Sequence, residues 1–144
     1  MSRADGIWGE AQVANYLRAH GYQLLAHSYR CRYGEIDLIA RKGKVLCFVE
    51  VKTRANLDYG LPREYVTAGK QEKLRKTAAF YLSAHELDCP TRFDVAEVYT
   101  DSEHTSVRIE YCQILIQIGQ HPIAGFAGAA GQQCQPFFCL RIKE

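Results

Sequence analysis

The 144-residue sequence predicts an α/β protein with a mixed central sheet. Two observations support this fold class. Segments with apolar residues at helical spacing alternate with runs rich in Ile, Leu, Val and Phe. The elements follow the order helix, three strands, helix, strand, which is typical of α/β arrangements. A chain of this length can bury one sizeable core, and its 47% hydrophobic content is ordinary for a globular domain.

The first predicted helix covers about residues 7–20 and carries an acidic residue on its apolar side. Asp5 precedes it as the predicted cap. Glu10 falls on the apolar stripe, so its carboxylate is either held by a buried partner or directed into a site. On spacing alone, a structural role for Glu10 is favoured. The stripe itself consists of Ile7, Ala11, Ala14 and Leu17.

The other elements are predicted to complete a single domain. Pro90 falls just after the second long helix and marks its end. Residues 1–118 form the predicted domain, and residues 119–144 form a tail rich in Gly, Ala and Gln to which no role is assigned. The remaining predicted elements are strands at about 22–29, 35–41 and 45–53, a helix at about 69–86, and strands at about 92–99 and 106–117.

The second and third strands are predicted to form a hairpin that brings two acids together. A two-residue turn at Gly43-Lys44, with Gly at its first central position, sets the register. In that register Asp37 faces Glu50, and Glu35 faces Lys52. Like charges that face each other in a ladder are destabilising. The Asp37–Glu50 pair therefore calls for a cation.

The third strand is apolar on both faces, so it is predicted to be central and covered on both sides. Glu50 and Lys52 then lie at the end of a covered strand, where unpaired charges are costly. One explanation is a structural Glu–Lys ion pair at a strand end. The other is a divalent ion, because Mg²⁺ binds through one or two carboxylates and retains waters and phosphate oxygens. A metal of this kind can activate water for phosphodiester hydrolysis, and Lys52 can stabilise the developing charge.

Four short motifs of the sequence form a recognisable set. They are Gly9-Glu10, Gly34-Glu35-Ile36-Asp37-Leu38-Ile39-Ala40, Phe48-Val49-Glu50-Val51-Lys52-Thr53-Arg54 and Arg92-Phe93-Asp94-Val95. Together they resemble the PD-(D/E)xK nuclease superfamily and, more narrowly, the YraN-type family of small bacterial proteins, which are similar to archaeal Holliday junction resolvases. The resemblance covers about residues 6–100 and implies a restriction-endonuclease-like core. Ile36 stands where the superfamily often has Pro, as the narrower family leads one to expect.

The resemblance also implies a set of site residues. Asp37 and Glu50 are the implied ligands of Mg²⁺ or Mn²⁺, with the Val51 carbonyl as a further ligand. Lys52 is the implied catalytic lysine. Glu10 is implied as an additional acid that supports the metal or a water. Junction resolvases cut two strands with two sites, so the resemblance suggests a homodimer.

Charge distribution favours an anionic partner more clearly than the net charge of +2 does. Residues 30–76 hold twelve Lys and Arg against six Asp and Glu, which leaves the rest of the chain acidic. This asymmetry suits a nucleic-acid backbone that approaches from one side. An ordinary solvated surface is the alternative for any single lysine. The predicted contacts are Arg30, Arg32, Arg54, Lys70 and Gln71.

These observations lead to one main hypothesis and two alternatives. The main one is a Mg²⁺-dependent endonuclease that acts on nucleic acid, with DNA favoured over RNA and with branched or structured DNA suggested by the resemblance. The alternatives are a module of the same fold that binds nucleic acid or protein without cutting, and a structural protein whose charged residues form an internal ion-pair network. Six scattered cysteines, no secretory segment and no membrane-length apolar run predict a cytoplasmic protein without a membrane partner.

Overall fold

The computed structural model describes residues 2–55, 68–114 and 139–141. The predicted order of helix, three strands, helix and strand is confirmed, and each of these elements lies within a few residues of its predicted position. The elements are α1 (Arg3–Ala19), β1 (Gln23–Cys31), β2 (Gly34–Lys42), β3 (Val45–Ala55), α2 (Ala68–Ala84), β4 (Thr91–Thr100), β5 (Val107–Ile114) and β6 (Cys139–Arg141).

The strands form one mixed sheet in the order β1-β2-β3-β4-β5-β6. β3 and β4 are parallel, and the chain between them includes α2, as a parallel pair requires a crossover connection. The other neighbouring strands are antiparallel. The fold is therefore α/β with a restriction-endonuclease-like core. The three-residue β6 comes from the tail and was not predicted, whereas residues 119–138 lie outside the described residues.

The two helices cover opposite faces of the sheet, and β3 is buried between them. Val13 and Leu17 of α1 pack against the face that carries Cys47 and Val49. The α2 side of the sheet carries Leu46 and Phe48 of β3, which pack against Ala78, Tyr81 and Leu82. The prediction that β3 is a central strand covered on both sides is confirmed, because Leu46, Cys47, Phe48 and Val49 are all at most 1% exposed.

α1 begins earlier than predicted, and its cap is a different residue. Ser2 is the N-cap, and its side chain accepts a hydrogen bond from the Asp5 amide. Asp5 is the third helical residue, and its carboxylate accepts a bond from the Ser2 amide at 2.8 Å, which completes a capping box. The prediction of Asp5 as the cap was wrong. Asp5 belongs to the capping box, but as its third helical residue, and the N-cap is Ser2.

The buried face of α1 also differs from the predicted stripe. Ile7 is 60% exposed and Ala11 is exposed, whereas Gly9 is buried. A Cβ atom added at Gly9 would clash with the Thr53 side chain, so the helix approaches β3 at a point where only glycine fits. Hydrophobicity patterns count glycine as neutral, so they do not detect a contact face built around one.

The β2–β3 turn has the predicted geometry. Gly43 has φ of +59°, which suits the first central position of a two-residue hairpin turn. The ladder runs from Lys42↔Val45 to Leu38↔Val49 in the predicted register.

Within the described ranges, no helix has both the length and the apolar character needed to cross a bilayer. Four cysteines in those ranges are free thiols, namely Cys31, Cys47, Cys89 and Cys112.

Candidate active site at the end of the central hairpin

The β2–β3 ladder changes its bonding where the acidic residues begin. Backbone pairing ends at Leu38↔Val49, one position before the predicted pairing of Asp37 with Glu50. A continued ladder would place the Val51 amide opposite Ile36. Instead, that amide donates to Asp37 Oδ2 at 2.8 Å. The Asp37 side chain thus replaces the backbone as the partner of β3, which fixes its carboxylate beside Glu50-Val51-Lys52.

The same geometry orients the Val51 carbonyl. In an extended strand, the N–H and C=O groups of one residue point to the same side. The amide of Val51 points toward β2, because it donates to Asp37. The Val51 carbonyl is therefore directed toward β2, the strand that carries Asp37. A carbonyl oxygen that shared a metal ion with Asp37 would have to point in this direction.

Glu50 continues the row of β3 side chains that face α2, after Leu46 and Phe48. Those two residues are enclosed by core side chains, whereas Glu50 is half-buried. Its side chain borders a cleft of about 260 Å³ between β2, β3 and α2. The cleft is lined by Gly34, Glu35, Glu50, Lys70, Lys73, Leu74 and Thr77.

Glu10 reaches the site from α1, on the other side of the sheet's end. Its carboxyl lies close enough to Asp37 and to Ser28 of β1 for both side chains to affect its pKa. The close approach at Gly9 explains this reach, because the neighbouring residue in the helix is held against Thr53. Glu10 therefore joins Asp37 at this end of the sheet.

Burial raises the pKa of all three carboxyls at this end of the sheet. Desolvation is the largest cause for Glu50, and the nearby Asp37 charge raises its pKa further. Desolvation also dominates at Asp37, where the Val51 amide acts in the opposite direction. Glu10 follows the same rule, with the Asp37 and Glu35 charges adding to desolvation. Lys52 lowers the pKa of both Asp37 and Glu50, so its ammonium partly compensates the pair.

The donor set fits a hard divalent cation that retains water ligands. Within the described residues, no three side chains of the His, Cys, Asp and Glu types come close enough to form a metal cage. Mg²⁺ does not require one, since it commonly binds through one or two carboxylates and keeps several waters. Asp37, Glu50 and the Val51 carbonyl offer oxygen atoms of the kind that Mg²⁺ prefers as ligands.

The predicted nucleic-acid contacts divide into two groups. Lys70 lines the cleft beside Glu50, as expected for a residue near the buried edge of α2. Arg30 and Arg32 are exposed at the β1–β2 turn, where Arg30 pairs with Glu35 at 3.0 Å. Glu35 was expected to face Lys52, but the structure pairs it with Arg30 across β1 and β2.

Arg54 and Gln71 are enclosed. The Arg54 side chain is only 11% exposed, and its Nε lies 4.0 Å from Glu97 on β4, whose side chain is 3% exposed. Gln71 is 8% exposed and accepts a hydrogen bond from Arg75 at 3.2 Å. The structure therefore places these two beneath the surface and not on it. Lys73, which the sequence indicates as a less specific contact, lines the cleft instead, as does Thr77, which was not predicted although it follows Lys70 at helical spacing.

The Arg92–Asp94 motif lies in the core and not in the cleft. The Asp94 side chain is fully buried on the α1 face and accepts two hydrogen bonds from Arg92, at 2.8 and 2.9 Å. Tyr111 donates a third bond to it. Arg92 also donates to the Tyr22 hydroxyl at 2.8 Å, so every member of this network has a partner. The Arg92-Phe93-Asp94-Val95 motif therefore has a structural role in the core.

The fold and the site together define a class of protein. It has a restriction-endonuclease-like α/β core with a carboxylate–lysine cluster at the end of its central hairpin. The chain belongs to the Uncharacterised protein family UPF0102, whose model matches residues 9–98. The resemblance to the YraN-type family is thus confirmed at the level of the family.

Relatives in this family are similar over most of their length. A UPF0102 protein of Symbiobacterium thermophilum is 52% identical over 99 residues, which cover 68% of this chain and 84% of the relative. One from Acetivibrio thermocellus is 40% identical over 115 residues, covering 78% of this chain and 88% of the relative. A third, from Lachnoclostridium phytofermentans, is 47% identical over 95 residues, covering 65% and 80%. None of these names states a reaction.

Proposed function

We propose that this protein is a metal-dependent endonuclease that hydrolyses phosphodiester bonds in DNA, with branched or structured DNA as its substrate. The observation that carries the proposal is the bond from the Val51 amide to Asp37. It locks one acid of β2 against the strand that presents Glu50 and Lys52. Two half-buried acids and a lysine are thereby held together at the end of the central strands.

Each residue has a distinct role in the proposed reaction. Asp37 and Glu50 would hold Mg²⁺ or Mn²⁺ together with the Val51 carbonyl. The bound metal would supply a water of lowered pKa and charge stabilisation on the phosphate. Lys52 would orient the attacking water and stabilise negative charge on the phosphate oxygens. Glu10 would support the metal or a water from its position beside Asp37.

The basic side chains suggest the partner. Lys70 and Lys73 border the same cleft as Glu50, so a phosphate at the site would meet two ammonium groups on α2. The excess of Lys and Arg in residues 30–76 supports approach of a polyanion from this side. The proposal also includes a cytoplasmic protein that cuts as a homodimer, with one site for each strand.

Cleavage assays on a panel of nucleic acids test this function. Purified protein with Mg²⁺ or Mn²⁺ is expected to cut at least one of linear, flapped, single-stranded or four-way-junction DNA, with RNA as a comparison. Glu50→Gln and Asp37→Asn should each lower the rate by at least about 100-fold, because catalysis by a misplaced metal loses several kcal/mol of transition-state stabilisation. Lys52→Ala should lower it by about 100-fold or more.

Matched variants separate the site from general effects of charge. Glu72→Gln removes an exposed carboxylate of α2 that pairs with Lys76, and Lys44→Ala removes an exposed lysine at the far end of the same hairpin. Both should retain the wild-type rate. Cleavage that survives Glu50→Gln would show that the activity belongs to a contaminant or to another site.

A binding module without cleavage is the second candidate function. One observation favours it, namely that no close cluster of three metal-ligand side chains exists in the described part of the chain. Calorimetric titration with Mn²⁺ and Mg²⁺ distinguishes the two. Metal binding that is lost in Asp37→Asn supports the enzyme. Tight DNA binding without any metal binding or cleavage supports the module.

A further inference from the structure

An exposed aromatic platform lies next to the candidate active site. Phe80 of α2 is 39% exposed, although most large apolar side chains of the described chain are buried. Its ring meets the Tyr33 ring edge to face, with centroids 6.0 Å apart. Arg32 also contacts Tyr33, since its guanidinium lies 4.8 Å from the ring centroid and donates to the hydroxyl at 2.7 Å. Phe80 is thus a partly exposed aromatic ring that is supported by contact with Tyr33.

The platform is continuous with the cleft. Lys70, Lys73, Thr77 and Phe80 follow one another at helical spacing, so they form one stripe along α2. Lys70, Lys73 and Thr77 line the cleft with Glu50, and Phe80 extends the stripe to the β1–β2 turn. From Lys70 to Phe80 the helix rises about 15 Å, the length of roughly four stacked nucleotides of one strand.

Charge along this path suits a phosphate backbone. Lys73 and Arg32 are exposed on either side of the platform. Glu35, which lines the cleft together with Glu50, is paired with Arg30 at 3.0 Å, so its charge is partly compensated. Alternating cations and exposed aromatic rings are the elements from which sites for single strands are built. In a duplex, the face of each base is covered by its neighbours, so an exposed protein ring can stack only on an unpaired base.

We infer that Phe80 and Tyr33 form a stacking subsite for unpaired bases of a single-stranded segment, whose backbone follows Lys73 and Lys70 toward Glu50. The inference rests on the proposed function in one respect, namely that the nucleic-acid strand runs toward Glu50. It narrows the substrate class to nucleic acid that has an unpaired stretch beside the bond to be cut. Tyr33 is a positioning residue in this subsite, and Phe80 makes the stacking contact.

Binding measured without metal tests the subsite independently of cleavage. Fluorescence anisotropy in EDTA compares labelled oligothymidylate, labelled oligouridylate and a blunt duplex of equal length. The single strands should bind more tightly than the duplex. Phe80→Leu, which preserves apolar volume, should weaken single-strand binding by roughly 5- to 150-fold, the effect of losing one stacked base. Ile7→Ala changes an exposed apolar residue of α1 and should leave binding unchanged.

A second variant reports the contact directly. Phe80→Trp should preserve binding, and the emission of the new indole should be quenched by oligothymidylate and not by the duplex. Unquenched emission, or equal affinity of wild type and Phe80→Leu for single strands, overturns the inference. A scattering mass that falls from dimer to monomer in Phe80→Leu overturns it as well, because the platform would then be an interface between copies.

The two proposals can fail separately. If single strands bind through Phe80 but no substrate is cut, the stacking subsite stands and the endonuclease does not. If a fully paired duplex is cut with dependence on Glu50 while Phe80→Leu changes nothing, the endonuclease stands and the subsite does not.

Discussion

Asp37 carries two tasks at the residue scale. Its carboxylate closes the end of the β2–β3 ladder through the Val51 amide. The charge of the same carboxylate raises the pKa of the neighbouring Glu10 and Glu50 side chains. A residue with both effects connects the stability of the hairpin to the occupancy of the site.

The raised pKa of Glu50 gives a stability prediction with a defined sign. Because burial raises this pKa above its unfolded value, the folded protein binds the proton more tightly, and stability is lost as pH rises through the folded pKa. In EDTA at pH 8, Glu50→Gln should therefore melt higher than wild type, by about 2–4 °C. The difference should shrink toward pH 4. Thermal unfolding followed by circular dichroism measures it.

Bound metal should reverse the order of the two melting temperatures, so that wild type becomes the more stable protein. Saturating Mn²⁺ stabilises only a protein that binds it, by about 2.7 kcal/mol at a concentration one hundred times Kd. Wild type should then melt above Glu50→Gln, whereas the exposed control Glu72→Gln should follow wild type throughout. A wild type that is already the more stable protein in EDTA at pH 8 would identify Glu50 as a partner in a structural ion pair, the alternative that the sequence left open.

The environment of a residue could be predicted from the sequence where a local turn determines it. It could not be predicted where packing against a distant segment determines it. The proximity of Asp37 to Glu50 could be predicted because one two-residue turn sets the register, and Gly43 determines that turn locally. Arg54 lies on the same strand face, and its burial depends on Glu97 of β4, more than forty residues away. No local pattern contains that information.

At the scale of elements, one glycine determines how α1 sits on the sheet. Gly9 lets the helix approach Thr53, and Glu10 then extends to Asp37. The predicted stripe is right for Ala14 and Leu17 and wrong for Ile7 and Ala11, because apolar spacing alone does not show where the helix comes closest to the sheet. The closest approach between α1 and β3 instead occurs at the smallest side chain, while Ile7 remains exposed.

Two alanine substitutions in α1 should have opposite effects. Gly9→Ala forces a Cβ into Thr53, so it should cost about 1–3 kcal/mol of unfolding free energy. Gly6→Ala meets nothing within 4 Å and should stabilise the helix by up to about 1 kcal/mol. Urea denaturation measures both. Thr53→Ala should recover part of the loss in Gly9→Ala, and equal effects of the two glycine substitutions would contradict the close approach.

At the scale of the whole molecule, the two faces of the sheet carry different side-chain clusters. The α2 face carries the cleft, and the α1 face carries the buried network of Asp94, Arg92, Tyr22 and Tyr111. The α/β class, the order of elements along the chain and the central position of β3 followed from periodicity and order alone. β6 did not, because a three-residue strand formed by the tail is specified by its partner β5 and has no periodicity of its own.

The buried network should dominate the charged contributions to stability. Arg92→Leu leaves the Asp94 carboxylate buried without its cation, which should cost about 3–5 kcal/mol. Lys76→Ala, which breaks an exposed pair with Glu72, should change stability by less than about 1 kcal/mol. Denaturation in urea compares them. A loss below about 1 kcal/mol in Arg92→Leu would mean that Asp94 is protonated in the folded protein.

The mixed sheet also has a consequence for the order of folding. Leu38 and Val49 pair across a tight turn, whereas Val49 and Asp94 pair only after α2 has crossed over. Hairpins close within microseconds, and pairings between distant segments are slower because they must first close a long loop. The β2–β3 hairpin is therefore expected to form early, with Asp37 and Glu50 brought together before the second helix covers them. Repulsion between the two carboxylates is then already present when the hairpin forms. The acids of the proposed site are therefore expected to raise the free-energy barrier to folding.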